Sequence, residues 1–90
     1  METVFIYNGH RIVVVRDLID MECFIDDTSC GKVKGFFKAN SDQVFEGIAH
    51  NSDGSEDSIR VEFRDASMKK LLSTIALYYN GELVDEKKAL

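Results

Sequence analysis

The sequence predicts an α+β fold: a single small domain over residues 1–90 in which an antiparallel β-meander of five to six strands carries one C-terminal helix on one face. Three observations point there. Ser58 to Arg64 alternates strictly, with Ile59, Val61 and Phe63 on one side and Ser58, Arg60, Glu62 and Arg64 on the other, as a half-buried strand requires. Met68, Leu71, Leu72, Ile75, Ala76 and Tyr79 then recur at three and four residues, the spacing of an apolar helical stripe. Asn8-Gly9 joins two apolar runs, the strongest short-range hairpin signal, because both central residues of a type I′ turn need positive φ.

The elements follow in order. Val4 to Tyr7 gives a first strand over about residues 3–7, and Arg11 to Val15 a second over 10–16. Ile12, Val13, Val14 and Val15 are apolar on both faces, so that strand is interior and needs a cover on each side. Ile19, Met21, Cys23 and Ile25 alternate with Asp20, Glu22 and Phe24 in a third strand, 19–25, which ends in a turn at Asp26-Asp27. Val33, Gly35, Phe37 and Ala39 alternate with Lys32, Lys34, Phe36 and Lys38 in a fourth, 32–39. Gln43 to His50 is the fifth, and the polar loop N-S-D-G-S-E-D leads to the sixth, 58–64. The helix spans about 66–80, capped by Asp65 and ended by Asn80-Gly81, with Leu72 and Ile75 set against Val61 and Phe63. Glu82 to Leu90 reads as a short docked tail.

Composition bounds the function more than it identifies it. Ninety residues can bury roughly 60 to 65% of the surface the unfolded chain exposes, enough for one domain without metals or disulfides. Apolar residues make up 44%, charged residues 30%, and proline is absent, so Asn, Asp, Ser and Gly must make the turns. Met1-Glu2-Thr3 opens without a basic leader and no apolar run approaches the roughly 20 residues of a membrane span, so a cytoplasmic protein is expected. Cys23 and Cys30 are expected as free thiols there, although a two-residue Asp26-Asp27 turn would set them directly opposite each other.

The net charge of −5 comes in blocks: five acids and no Lys or Arg from Asp17 to Asp27, three lysines from Lys32 to Lys38, and five acids from Asp42 to Asp57. Cross-strand pairing between a basic strip and its acidic neighbours is the simplest account. The functional alternative is a single-stranded nucleic-acid or anion surface at Lys32, Lys34, Phe36 and Lys38, where cations meet phosphates and a base stacks on the ring. Gly31, Lys32, Val33, Lys34 and Phe37 resemble the first strand of cold-shock domains over eight residues, which would imply such binding. Gly35 stands where that family places an aromatic, the second aromatic motif is missing, and the domain is acidic.

No motif supplies catalysis. His10 and His50 are the only imidazoles, His10 stands beside a turn where exposure is expected, and there is no phosphate-cradling glycine loop, H-E-x-x-H or C-x-x-C. Asp26-Asp27 reads as a turn first and as an acid/base pair only inside a pocket. His50 with Asp53, Glu56 and Asp57 is the one local group with metal-ligand chemistry, and its spacing fits no calcium loop, so no metal and no cofactor are expected. The helix adds Leu77, placed opposite its stripe, and Tyr78 at the boundary. Together with the outward valines Val13 and Val15 they make the candidate contact surface of a non-catalytic, acidic interaction domain that binds a protein partner or a second copy of itself. Small acidic proteins of the inhibitor or immunity type have this size and charge. An enzyme with an unrecognised site is the third reading.

Overall fold

The computed structural model describes residues 2–17, 19–35, 41–64 and 73–89. Eight strands run in chain order: β1 (Glu2–Tyr7), β2 (His10–Arg16), β3 (Asp20–Ile25), β4 (Thr28–Lys34), β5 (Gln43–His50), β6 (Glu56–Arg64), β7 (Ser73–Tyr79) and β8 (Glu82–Ala89). They form two four-stranded antiparallel meanders, β1-β2-β3-β4 and β5-β6-β7-β8. The α+β expectation is therefore overturned: the described residues are all β, with eight strands where five to six were expected and no helix. Residues 73–79 of the expected helix are a strand, and the tail after it is another. Asp65, Met68, Leu71 and Leu72 lie outside the described residues, as do Phe36, Phe37, Lys38 and Ala39 of the expected fourth strand, whose observed course is Thr28–Lys34.

The reason lies in Ile75-Ala76-Leu77-Tyr78-Tyr79. A short apolar run fits a buried strand and a buried helix equally well, because with apolar side chains on both faces neither period is excluded. In the sheet, Ser73, Ile75, Leu77 and Tyr79 face inward and are buried, while Thr74 and Tyr78 on the other side are half-buried. Asn80-Gly81 then acts as a hairpin turn and not as a helix cap. Both residues have positive φ, 51° and 83°, as do Asn8 and Gly9 at 51° and 78°, whereas a helix end requires only one left-handed residue.

The meanders pack face to face. Phe5, Ile12, Val14, Met21, Cys23 and Ile25 of the first sheet share one core with Phe45, Ile59, Val61, Phe63, Ile75 and Leu77 of the second. The second sheet thus supplies the inner cover that Ile12 and Val14 require. Ile75 is buried beside Phe63 as expected, but as its cross-strand partner.

Two glycines let the sheets close along the β4/β5 edge. A Cβ on Gly31 would stand 2.9 Å from the Phe45 ring, and one on Gly47 would stand 2.6 Å from Ile25 Cδ1 and 2.9 Å from Cys30 Cβ. At the opposite edge Lys87 Nζ donates to the Val4 carbonyl at 2.5 Å and lies 5.2 Å from the Phe5 ring centroid, tying β8 to β1.

Leu77 separates the two architectures. On an exposed helix face Leu77→Ala would be nearly neutral, whereas at a fully buried strand position it should cost about 2 to 5 kcal/mol. A urea melt of the variant measures this, and a loss under about half a kilocalorie would contradict the sandwich.

Candidate functional site

At one end of the sandwich four turns converge: Asn8-Gly9, Asp26-Asp27, the loop 51–55 and Asn80-Gly81. Their side chains form a continuous polar network between the sheets, with His10 at its centre. His10 is the first residue of β2, faces inward and is only 7% exposed, contrary to the exposure expected beside a turn. Its Nδ1 lies 2.5 Å from Asp26 Oδ2 and its Nε2 lies 2.7 Å from Asn51 Oδ1, so the second contact crosses from one sheet to the other.

The orientation of Asn51 fixes the state of the ring. Asn51 Nδ2 donates to Asp57 Oδ2 at 2.9 Å and to Ser55 Oγ at 3.0 Å, which leaves only its carbonyl oxygen for His10. Both ring nitrogens therefore face acceptors, and both are satisfied only in the imidazolium. The Asn51 oxygen and then the Asp26 carboxylate hold the His10 pKa above its ordinary 6.5, against the effect of burial. Asp26 stays below the usual carboxylate range: burial pushes it up, and the Arg11 amide, donating to Oδ1 at 2.9 Å, together with His10 outweighs that push.

Asp57 is the second hub. Tyr79 donates its hydroxyl proton to Asp57 Oδ2 at 2.6 Å, Asn51 shares that oxygen, and Asn80 Nδ2 donates to Oδ1 at 3.0 Å. These three donors pull its pKa down to about 2. Tyr79 is raised from its ordinary value by burial and by Asp57, and its hydroxyl accepts from Asn8 Nδ2 at 3.2 Å. Asn80 Oδ1 in turn accepts from the Ser58 amide at 2.8 Å.

This arrangement is a clasp. A His10 with both nitrogens donating has no lone pair with which to accept a proton or bind a metal. Two open depressions of about 390 Å³ flank it and share Asp26 and His50. His50 Nδ1 lies 3.0 Å from Glu56 Oε2, with 74% and 57% of the two side chains exposed, so it forms a surface pair. Asp53 accepts from the Ser55 amide and hydroxyl within its own loop. Among the described residues no three His, Cys, Asp or Glu side chains are grouped so as to hold a metal ion, and no helix is long and apolar enough to cross a membrane.

The other candidate residues separate. Val13 and Val15 lie on the outer side of β2, with Val13 6% and Val15 40% exposed. Leu77 is fully buried in the core and offers no surface, and Tyr78 lies on the outer side of the other sheet beneath Arg60, whose guanidinium is 4.2 Å from the ring centroid. Lys32 and Lys34 are exposed on β4, directly opposite Glu22 and Asp20 in the register, while Phe36 and Lys38 lie outside the described residues.

Nothing local in the sequence announces the clasp. Asp26, Asn51 and Asn80 read as turn formers, and Asp26 and Asp27 do adopt positive φ, 48° and 68°. Only the sandwich brings these turns to one end. Comparison with known proteins finds no matching family model, no matching curated protein and no matching solved structure.

The clasp has a pH signature. Because the folded-state pKa of His10 is raised, its stabilisation is complete below about pH 6.5 and is lost as the pH rises through the folded-state value. Asp26 and Asp57 are lowered, so their contribution is present above about pH 3.8 and is lost as the pH falls through their folded-state values. Melting temperature should therefore be highest between about pH 4 and 6.5 and decline toward about pH 8. In His10→Ala it should be lower throughout, with the alkaline decline flattened. A wild-type melting temperature that rises from about pH 6 to about pH 8 would contradict the imidazolium.

Proposed function

We propose that this chain is a non-catalytic interaction domain of the cytoplasm that binds another protein chain through the outer face of β1, β2 and β3. The difference between the two outer faces carries this reading. On the first sheet the register sets Val4, Val13 and Phe24 in a row across three neighbouring strands, extended by Val15 and Ile6, which are 40% and 69% exposed. Charged groups border it on both sides: Arg11 on one side reaches Glu2 on the other at 3.5 Å, across the buried Val13, and lies 3.6 Å from Asp27. Contiguous apolar surface with a polar rim is the anatomy of a protein interface.

The second sheet is finished differently. Glu62 holds Arg60 at 3.0 Å and Arg64 at 2.6 Å, Lys88 lies 3.8 Å from Glu86, and Arg60 covers the Tyr78 ring. Val44 and Ile48 are exposed on β5 but are separated by Glu46. Leu83, 50% exposed, stands at the far edge behind Tyr78 and Arg60, so no apolar row forms there, and of the four residues expected the contact surface keeps Val15, with Val4, Ile6 and Phe24 around the buried Val13.

Val15→Lys places a charge on the exposed valine of the patch, between Glu2 and Glu22, while leaving the core untouched. By light scattering and pull-down, the wild-type chain should form a complex, with itself or with a second protein, that survives added salt. Val15→Lys should lose it with an unchanged melt. A monomer that retrieves no partner and instead binds single-stranded oligonucleotides with a steep salt dependence would overturn this function.

A further inference from the structure

Cys23 and Cys30 take no part in the clasp, yet the hairpin β3–β4 is built around them. Ile25 pairs with Thr28 and Phe24 with Ser29, and an unbroken ladder would next set Cys23 opposite Cys30. The ladder shifts instead and pairs Cys23 with Gly31, which makes Cys30 the extra residue of a β-bulge. The bulge turns Cys30 toward the core. Its side chain packs against the cluster that contains Cys23, and the two thiols are close enough for each to shift the other's ionisation. Both are free.

Access to the two sulfurs differs. Cys23 is fully buried, whereas Cys30 is half-buried and lines the depression of about 390 Å³ formed with Ile25, Thr28, Ser29, Ile48 and His50. As the bulge residue beside the Cys23–Gly31 pair, Cys30 is a cross-strand neighbour of Cys23, and a disulfide spans Cα atoms roughly 4.4 to 6.8 Å apart.

We propose that Cys30 and Cys23 form a reversible thiol–disulfide pair, in which Cys30 is the attacking thiol, reached by a hydroperoxide through this depression, and Cys23 is the resolving thiol. The Cys30 thiolate attacks one peroxide oxygen; the S–O bond forms as the O–O bond breaks, and the departing oxygen takes up the proton that Cys30 released. Cys23 sulfur then attacks the sulfenic sulfur of Cys30. The S–S bond forms, the S–O bond breaks, and the hydroxyl leaves as water with the Cys23 proton. Two electrons from the two thiols reduce one peroxide, and a dithiol returns the pair to its starting state.

The order of events follows from access, since Cys30 lines the depression and Cys23 is fully buried, and the electrostatics of the pair agree with it. The neighbouring Cys23 thiol stabilises the Cys30 thiolate and holds Cys30 below the ordinary thiol pKa, while the neighbouring Cys30 and then burial push Cys23 well above it.

The reduced 90-residue chain, treated with a slight excess of hydrogen peroxide and acid-quenched, should lose two hydrogens by intact mass and regain them with dithiothreitol. Cys30→Ser should show no such loss. Cys23→Ser should stop at a sulfenic acid on Cys30 that dimedone captures. In the native wild type, iodoacetamide should modify Cys30 at least about ten times faster than Cys23, which keeps the proposal testable if either variant fails to fold. Wild-type protein that retains both thiols under peroxide, that links only between molecules, or that alkylates first at Cys23 would overturn it.

Discussion

Each four-stranded sheet has one apolar face that only the other can cover, and the rest of the molecule follows from that closure. Strands alternate inward and outward, so Phe5, Ile12, Val14 and Met21 all emerge on one side of the first sheet, as Ile59, Val61, Phe63 and Ile75 do on the second. Burying each such side chain contributes roughly 1.5 to 3 kcal/mol relative to leaving it in water. Neither meander gains this alone. The glycines at 31 and 47 sit where the β4/β5 edge closes, because a side chain at either position would hold the sheets apart.

Closure also creates the polar problem that the clasp solves. Where the turns meet, buried acceptors and donors lose water and must find one another. His10 does so as an imidazolium between Asp26 and Asn51, and Asp57 does so with three donors. Hydrogen bonds of this kind are directional, so the clasp fixes how the sheets are set over one another, which the apolar core alone specifies loosely. The same hairpin that supplies Asp26 carries the bulge at Cys30, so the thiol pair sits on a rigidly anchored element.

Much of the first sheet was legible in the sequence. Asn8-Gly9 marks its first hairpin and strict alternation marks β3, while in the second sheet alternation marks β6 and the bounds of Gln43–His50 agree with the pattern. What misled was the end of the chain. Asn80-Gly81 is the same dipeptide as Asn8-Gly9, but the three-and-four spacing of Met68 to Tyr79 turned it into a helix stop and reduced β8 to a tail. The aromatic pair Tyr78-Tyr79 before it and Leu83-Val84 after it were the local signs of a second hairpin. The clasp was illegible for a different reason: His10, Asp26, Asn51 and Asp57 are up to 47 residues apart, and only long-range sheet packing brings them together.

The proposed function rests on asymmetry: one outer face carries the ion pairs of Glu62 with Arg60 and Arg64, while the other keeps an apolar row. The fold itself rests on mutual cover, which amide hydrogen exchange tests most directly. If the sheets form one core, the most protected amides at Val14 and Cys23 should exchange with the same opening free energy as those at Val61 and Leu77, equal to the global value from a urea melt. Protection of one sheet more than about 2 kcal/mol below the other would show that a meander stands alone, and would contradict the account.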